Sequence, residues 1–124
     1  MRRYTRDHSW VDVQGSRARV GLSEFAQSEL GEIAYVQLPE KGVAVARGDV
    51  VGTVESLKSS SEIYAPVSGT VVEVNSELAS EKNASLVNRD PLGKGWLLVI
   101  EMSVPGEVTD LLAEEEYLAY TSGA

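Results

Sequence analysis

The stretch VESLKSSSEIYAPVSG, residues 54–69, contains one lysine, Lys58, close to Ser56, Ser59, Ser60 and Ser61 and between valine-rich flanks. Val50 to Glu55 and Glu62 to Val67 read as strands, and Ser56 to Ser61 as the turn that joins them. A lysine protruding from such a hairpin offers its amine to a modifying enzyme, and acylation would turn it into an amide bearing a long prosthetic arm. The amide is uncharged, so the arm could lie against protein without burying a lysine cation. A lone turn lysine is otherwise an ordinary solvated side chain, so the residues around it must decide.

Other chemistry is sparse. The chain has no cysteine, which excludes a disulfide framework, a thiol nucleophile and a zinc–thiolate site from its own side chains. Sulfur chemistry would have to be imported. His8 is the only histidine, and a structural hydrogen bond suits it better than acid–base catalysis. No metal-ligand cluster and no Ser/His/Asp set stands out. The run from Pro91 to Trp96, PLGKGW, lacks the spacing of a phosphate-binding loop. Trp10 and Trp96 read as packing residues. Glu114, Glu115 and Glu116 read as a solvated helix face, with docking to a basic partner as the alternative. Nineteen acidic residues against 11 basic ones give a formal charge of −8, which repels phosphate backbones and disfavours nucleic acid as a partner.

The elements that must position Lys58 are mostly strands. Valine, threonine, glycine and alternating polar residues dominate from Trp10 to Val74. One interruption, LSEFAQSELG, predicts a short surface helix: Leu22, Phe25, Ala26 and Leu30 recur at helical spacing, Ser23 can cap the start and Gly31 can end it. Ser76 is placed to cap a single helical turn around Glu77 to Ser80. Strand pattern returns in GWLLVIEM, and Pro105 opens one or two C-terminal helices in which Leu111, Leu112, Tyr117 and Leu118 would dock. Gly52-Thr53-Val54-Glu55 is echoed by Gly69-Thr70-Val71-Val72-Glu73, placing Lys58 between two similar halves. The basic N-terminus lacks the apolar run of a signal peptide, and no segment reaches membrane-spanning length.

The order Glu55-Ser56-Leu57-Lys58, then Glu62, Ala65-Pro66 and Gly69, resembles the attachment hairpin of lipoyl domains. Biotinyl domains share the general fold but usually set their lysine between two methionines, whereas Leu57 and Ser59 flank Lys58. From about Tyr4 to Tyr120 the chain is similar to glycine cleavage system H proteins: HSWVDV, VGLSEFAQSELGEIAYVQLPEKG, the hairpin, VVEVN and NRDPLGKGWLLVIE follow in that family's order. The resemblance implies a mainly β barrel-sandwich hybrid of the lipoyl/biotinyl type with a short helix in its N-terminal half. It implies one domain over residues 1–124, the hairpin at about 50–69 and a helical extension at about 105–121.

The resemblance further implies a carrier and not an enzyme. (R)-Lipoate would be amide-linked to Lys58 by a lipoate ligase or a lipoyl/octanoyltransferase. The arm would take the aminomethyl group of glycine from glycine decarboxylase, the P protein, to aminomethyltransferase, the T protein. Dihydrolipoamide dehydrogenase, the L protein, would reoxidise it. A tether makes each delivery a local search. A relay that donates lipoyl groups to other proteins is the alternative. The expected setting is a monomer in bacterial cytoplasm, or in the mitochondrial matrix for a mature organellar chain, without nucleic acid or membrane. Glu55, Ser61 and Glu62 are the expected recognition or arm contacts. Ser9 joins them because it stands where the family's His-Glu-Trp block usually has glutamate, so it can hydrogen-bond an ammonium but not pair with it.

Overall fold

The computed structural model describes residues 2–80 and 82–122, so the ends of the 1–124 range and Glu81 lie outside the described residues. Its strands are β1 (Arg2–Tyr4), β2 (Ser9–Gln14), β3 (Arg17–Leu22), β4 (Ile33–Gln37), β5 (Ala44–Val45), β6 (Val50–Ser56), β7 (Ser60–Tyr64), β8 (Gly69–Val74) and β9 (Leu98–Met102). They form a six-stranded sheet in the order β1-β2-β3-β9-β8-β5 and a three-stranded sheet in the order β4-β6-β7, with every pairing antiparallel. Period-two alternation explains the core. Val11, Val20, Leu98 and Ile100 from the first sheet and Val36, Val54 and Ile63 from the second join one buried cluster. This is the expected sandwich of short strands.

The other face of the first sheet carries a second cluster of Tyr4, Trp10, Leu112 and Tyr117. Trp10 pairs with Gly21, and a methyl group on Gly21 would stand 2.6 Å from the Trp10 Nε1. The glycine is therefore the seat of the indole, whose Nε1 donates to the Pro91 carbonyl at 2.8 Å. The Gly52 and Gly69 copies of the internal echo also have matching surroundings. A Cβ on Gly52 would strike the Gln37 carbonyl of β4, and one on Gly69 the Glu101 carbonyl of β9. Val54 and Val71, two residues beyond each glycine, are both fully buried.

Helix α1 (Glu24–Leu30) follows the expected signals. Ser23 Oγ accepts from Ala26 N at 3.1 Å, and Gly31 N donates to the Gln27 carbonyl at 3.0 Å. Two expectations change and one element is new. Ser76 does not cap: the 3-10 turn Ser76–Ala79 follows Asn75, whose amide instead donates to the Lys94 and Trp96 carbonyls at 2.9 and 2.8 Å. A one-turn helix α2 (Leu86–Arg89), where the sequence predicts no element, is seated on the core by buried Val87. After the 3-10 segment Pro105–Asp110, Leu111 and Leu112 are buried in an extended link and not in a helix, because Leu112 exchanges backbone hydrogen bonds with Tyr4, both at 2.8 Å. Helix α3 (Glu114–Ser122) then buries Tyr117, while Leu118 stays 57% exposed.

Candidate functional site

The hairpin of β6 and β7 is tighter than the serine-rich run predicts. Val54 pairs with Ser61 and Glu55 with Ser60, so the turn is Leu57-Lys58-Ser59 alone. Ser56 N donates to the Ser59 carbonyl at 2.8 Å. The Ser56 hydroxyl accepts from Lys58 N at 3.2 Å and Ser59 N at 3.0 Å and donates back to the Ser59 carbonyl at 3.1 Å. One hydroxyl thus satisfies the turn's amides, the local side-chain bonding that makes serine a turn residue. Lys58 is exposed and Leu57 is 74% exposed. Among the described residues no ion pair engages the Lys58 amine.

The turn is moored to the body at one backbone point, where Leu57 N donates to the Glu32 carbonyl at 3.1 Å. The Lys58 stem lies across Gly31: a methyl group there would come 3.3 Å from Cε and 3.9 Å from Nζ. Gly31 also holds φ 83° and ψ −160°, a region essentially open to glycine alone. Sequence reasoning found Gly31 as a helix stop but not as the floor beneath Lys58. Two open depressions meet at Glu32 and Ser85, one bounded by Tyr35 and Glu55, the other by Gln27, Asn88 and Arg89.

The expected contact residues fall in three places. Glu62 pairs with Thr53 and Glu55 with Ser60, so both carboxylates stand on the outer face of the second sheet, exposed. Ser61 shares the opposite face with Val54, yet lies beyond the covered core and is exposed. Ser9 belongs to the first sheet, pairs with Leu22 and is only 3% exposed. Its amide donates to Thr5 Oγ1 at 3.1 Å, and its carbonyl accepts from Thr5 N at 2.9 Å.

His8 has the structural role expected of it. Its Nδ1 lies 2.9 Å from the Tyr117 hydroxyl, which lies 2.6 Å from Ser23 Oγ. Burial lowers its pKa, opposed by the charges of Asp7 and Glu29. No cluster of three or more acidic or histidine side chains is placed to hold a metal ion among the described residues.

The family model described as "Glycine cleavage H-protein" matches residues 2–123. This chain belongs to the glycine cleavage H-protein family. It is 48% identical over 119 residues to the glycine cleavage system H protein 4 of Aquifex aeolicus, covering 96% of this chain and 68% of that one. It is 46% identical over 117 residues to the glycine cleavage system H protein of Thermotoga maritima, covering 94% and 93%. The crystal structure of a glycine cleavage system H protein from Mycobacterium marinum superposes with a TM-score of 0.87 at 38% identity, covering 98% of this chain and 96% of that one. The family assignment and the sandwich fold therefore agree with what the hairpin and its flanking blocks imply. No helix among the described residues is long and apolar enough to cross a membrane.

Proposed function

We propose that this chain is the lipoyl carrier of a glycine cleavage system, with (R)-lipoate joined to Lys58. The observation that carries the reading is the placement of Lys58 in a member of this family: exposed, free of ion pairs among the described residues, on a turn whose amides are already satisfied. Attachment makes the lysine nitrogen the nucleophile. It loses a proton, displaces the leaving group of an activated acyl chain and gives up its charge. When bound, the lipoyl group supplies the pair of sulfurs that a cysteine-free chain lacks, to carry an aminomethyl group and to be reoxidised as a dithiol.

The chain's own residues hold and present the arm. Ser56 fixes the turn, and Gly31 leaves room for the lysine stem. Glu55 and Glu62 offer carboxylates to a cationic group on the arm or on a partner. Ser61, on the other face, offers a hydroxyl to an arm that turns that way. For Ser9 the proposed role is indirect: it closes the turn with Thr5 that carries His8. The partners are glycine decarboxylase, aminomethyltransferase and dihydrolipoamide dehydrogenase, met in bacterial cytoplasm, and no catalytic step belongs to this chain.

Intact-protein mass after incubation with lipoate, ATP and a lipoate ligase tests the reading, beside Lys58→Ala and a biotin-plus-biotin-ligase control. One lipoyl addition confined to the parent protein is expected, followed by support of glycine–bicarbonate exchange when glycine decarboxylase is added. Biotin addition, or none with an active ligase, overturns the lipoyl assignment. Loading without exchange overturns the glycine cleavage assignment.

A further inference from the structure

The Lys58 turn is held by a short link, Gly31-Glu32-Ile33, and that link is itself held by a residue far away in sequence. Asn88, on α2, accepts from Ile33 N at 2.7 Å through Oδ1 and donates to the Gly31 carbonyl at 2.7 Å through Nδ2. Its second Nδ2 proton goes to Gln27 Oε1 at 3.0 Å. Both neighbours of Glu32 are therefore gripped by one carboxamide, while the Glu32 carbonyl receives Leu57 N at 3.1 Å and Gly31 underlies the Lys58 stem. Only a carboxamide offers an acceptor and two donors in this fork; its orientation is set because a peptide N–H needs the oxygen and a carbonyl needs the nitrogen.

Asn88 is also presented rigidly. Ala84 and Val87 beside it are fully buried. A Cβ on Gly95 would press on the Leu86 carbonyl and on Val87, so the loop behind α2 packs tightly against it. The grip therefore passes from the core, through Asn88, to the mooring point of the turn.

We infer that Asn88 is a positioning residue for Lys58: it fixes the platform that sets how the lysine, and any arm on it, is presented to the enzymes that act there. The inference rests on the carrier reading for its functional consequence and on geometry for its structural one. The chemistry of Asn88 touches neither the lysine nor its substrate, so its loss should change recognition and not the acyl transfer itself.

The test compares the full chain with Asn88→Ala, Asn88→Asp and Leu112→Ala, the last a buried residue in the second cluster chosen to match the loss of Tm. Amide hydrogen exchange of Leu57 reports the mooring bond directly. Each lost hydrogen bond is worth about fivefold to tenfold in an opening equilibrium, so protection of Leu57 should fall at least about tenfold in Asn88→Ala and little in Leu112→Ala. In the ligase assay with lipoate and ATP, KM for the protein should rise about fivefold or more in Asn88→Ala with kcat nearly unchanged. Asn88→Asp keeps the acceptor for Ile33 but sets oxygen against the Gly31 and Gln27 oxygens; it should lie between the parent and Asn88→Ala if it folds, and serves alone if the alanine variant does not. Retained protection of Leu57, or a KM change no larger than in Leu112→Ala, overturns the inference. A parent protein that takes up no lipoyl group overturns the carrier reading instead, and the exchange result then decides the positioning by itself.

Discussion

Two regions of the molecule are ordered by different physics. At the Lys58 turn, order comes from hydrogen bonds: Ser56 closes the turn, Glu32 moors it, and Leu57 stays 74% exposed. At the clamp between β1 and α3, order comes from apolar burial. Tyr4 and Tyr117 stack with ring centroids 4.5 Å apart, Leu112 adds a rung beside Tyr4, and Trp10 is 1% exposed. In the proposed carrier role the turn must be open to several partners, and it is held from beneath by polar groups that leave its outer surface free. The clamp has no such duty and is buried.

That contrast makes stability and loading separable, and the largest expected effect is on loading alone. Lys58→Ala should abolish lipoyl addition completely while shifting stability by less than about 0.5 kcal/mol, the usual range for an exposed side chain away from special contacts. Mass spectrometry and urea denaturation on the same sample check it. A large loss of stability would mean that the lysine stem over Gly31 supports the fold and not only the arm.

Trp10→Ala should do the reverse. Emptying the space of a buried indole costs about 3–5 kcal/mol, and the Pro91 carbonyl loses its donor. The variant should unfold at much lower urea yet, at temperatures where it is folded, accept lipoate with the parent's KM. If KM rises in step with instability, the two regions are one cooperative unit and the contrast fails.

Gly31→Ala sits on the boundary between them. Its backbone region costs about 1–3 kcal/mol for any other residue, and the new methyl group would meet Lys58 Cε at 3.3 Å. Both stability and loading should suffer, each less than in the two variants above. Thermal denaturation and the ligase KM measured together show whether the floor of the turn serves both regions.

The sequence carried these regions unequally. Helix α1 was legible because Ser23 and Gly31 are local signals acting within four residues, and the core strands because alternation is local too. The hairpin was legible, but its turn came out too long: Ser60 and Ser61 are turn-friendly types, and only pairing with Glu55 and Val54 makes them strand. Leu111 and Leu112 looked helical from their neighbours, yet the partner that decides their conformation, Tyr4, lies more than 100 residues away. Asn88 was invisible for the same reason. Nothing near it in sequence announces that its carboxamide ends on Gly31 and Ile33. Glu55, Glu62, Ser61 and Ser9 were chosen by resemblance, and the sheet geometry sorts them onto different faces, which spacing alone could not do.

The smallest predicted effect lies inside the clamp and concerns pH. His8 packs against Phe25, Tyr117 and Tyr120, with Asp7 and Glu29 as the nearby charges that favour its protonation and Arg6 over the Tyr120 ring. Burial wins, so its folded pKa lies below the ordinary value of 6.5. Between the two values the unfolded chain binds the extra proton, so stability falls as pH drops through about 6.5 and levels off once the folded pKa is passed; above 6.5 this contribution is flat. His8→Asn tolerates the positive φ of 68° while removing the titration. The parent should lose more stability than His8→Asn between pH 7.5 and 5.5 in urea denaturation, the common loss from carboxylates cancelling in the difference. Equal losses would mean that the clamp does not sense the proton.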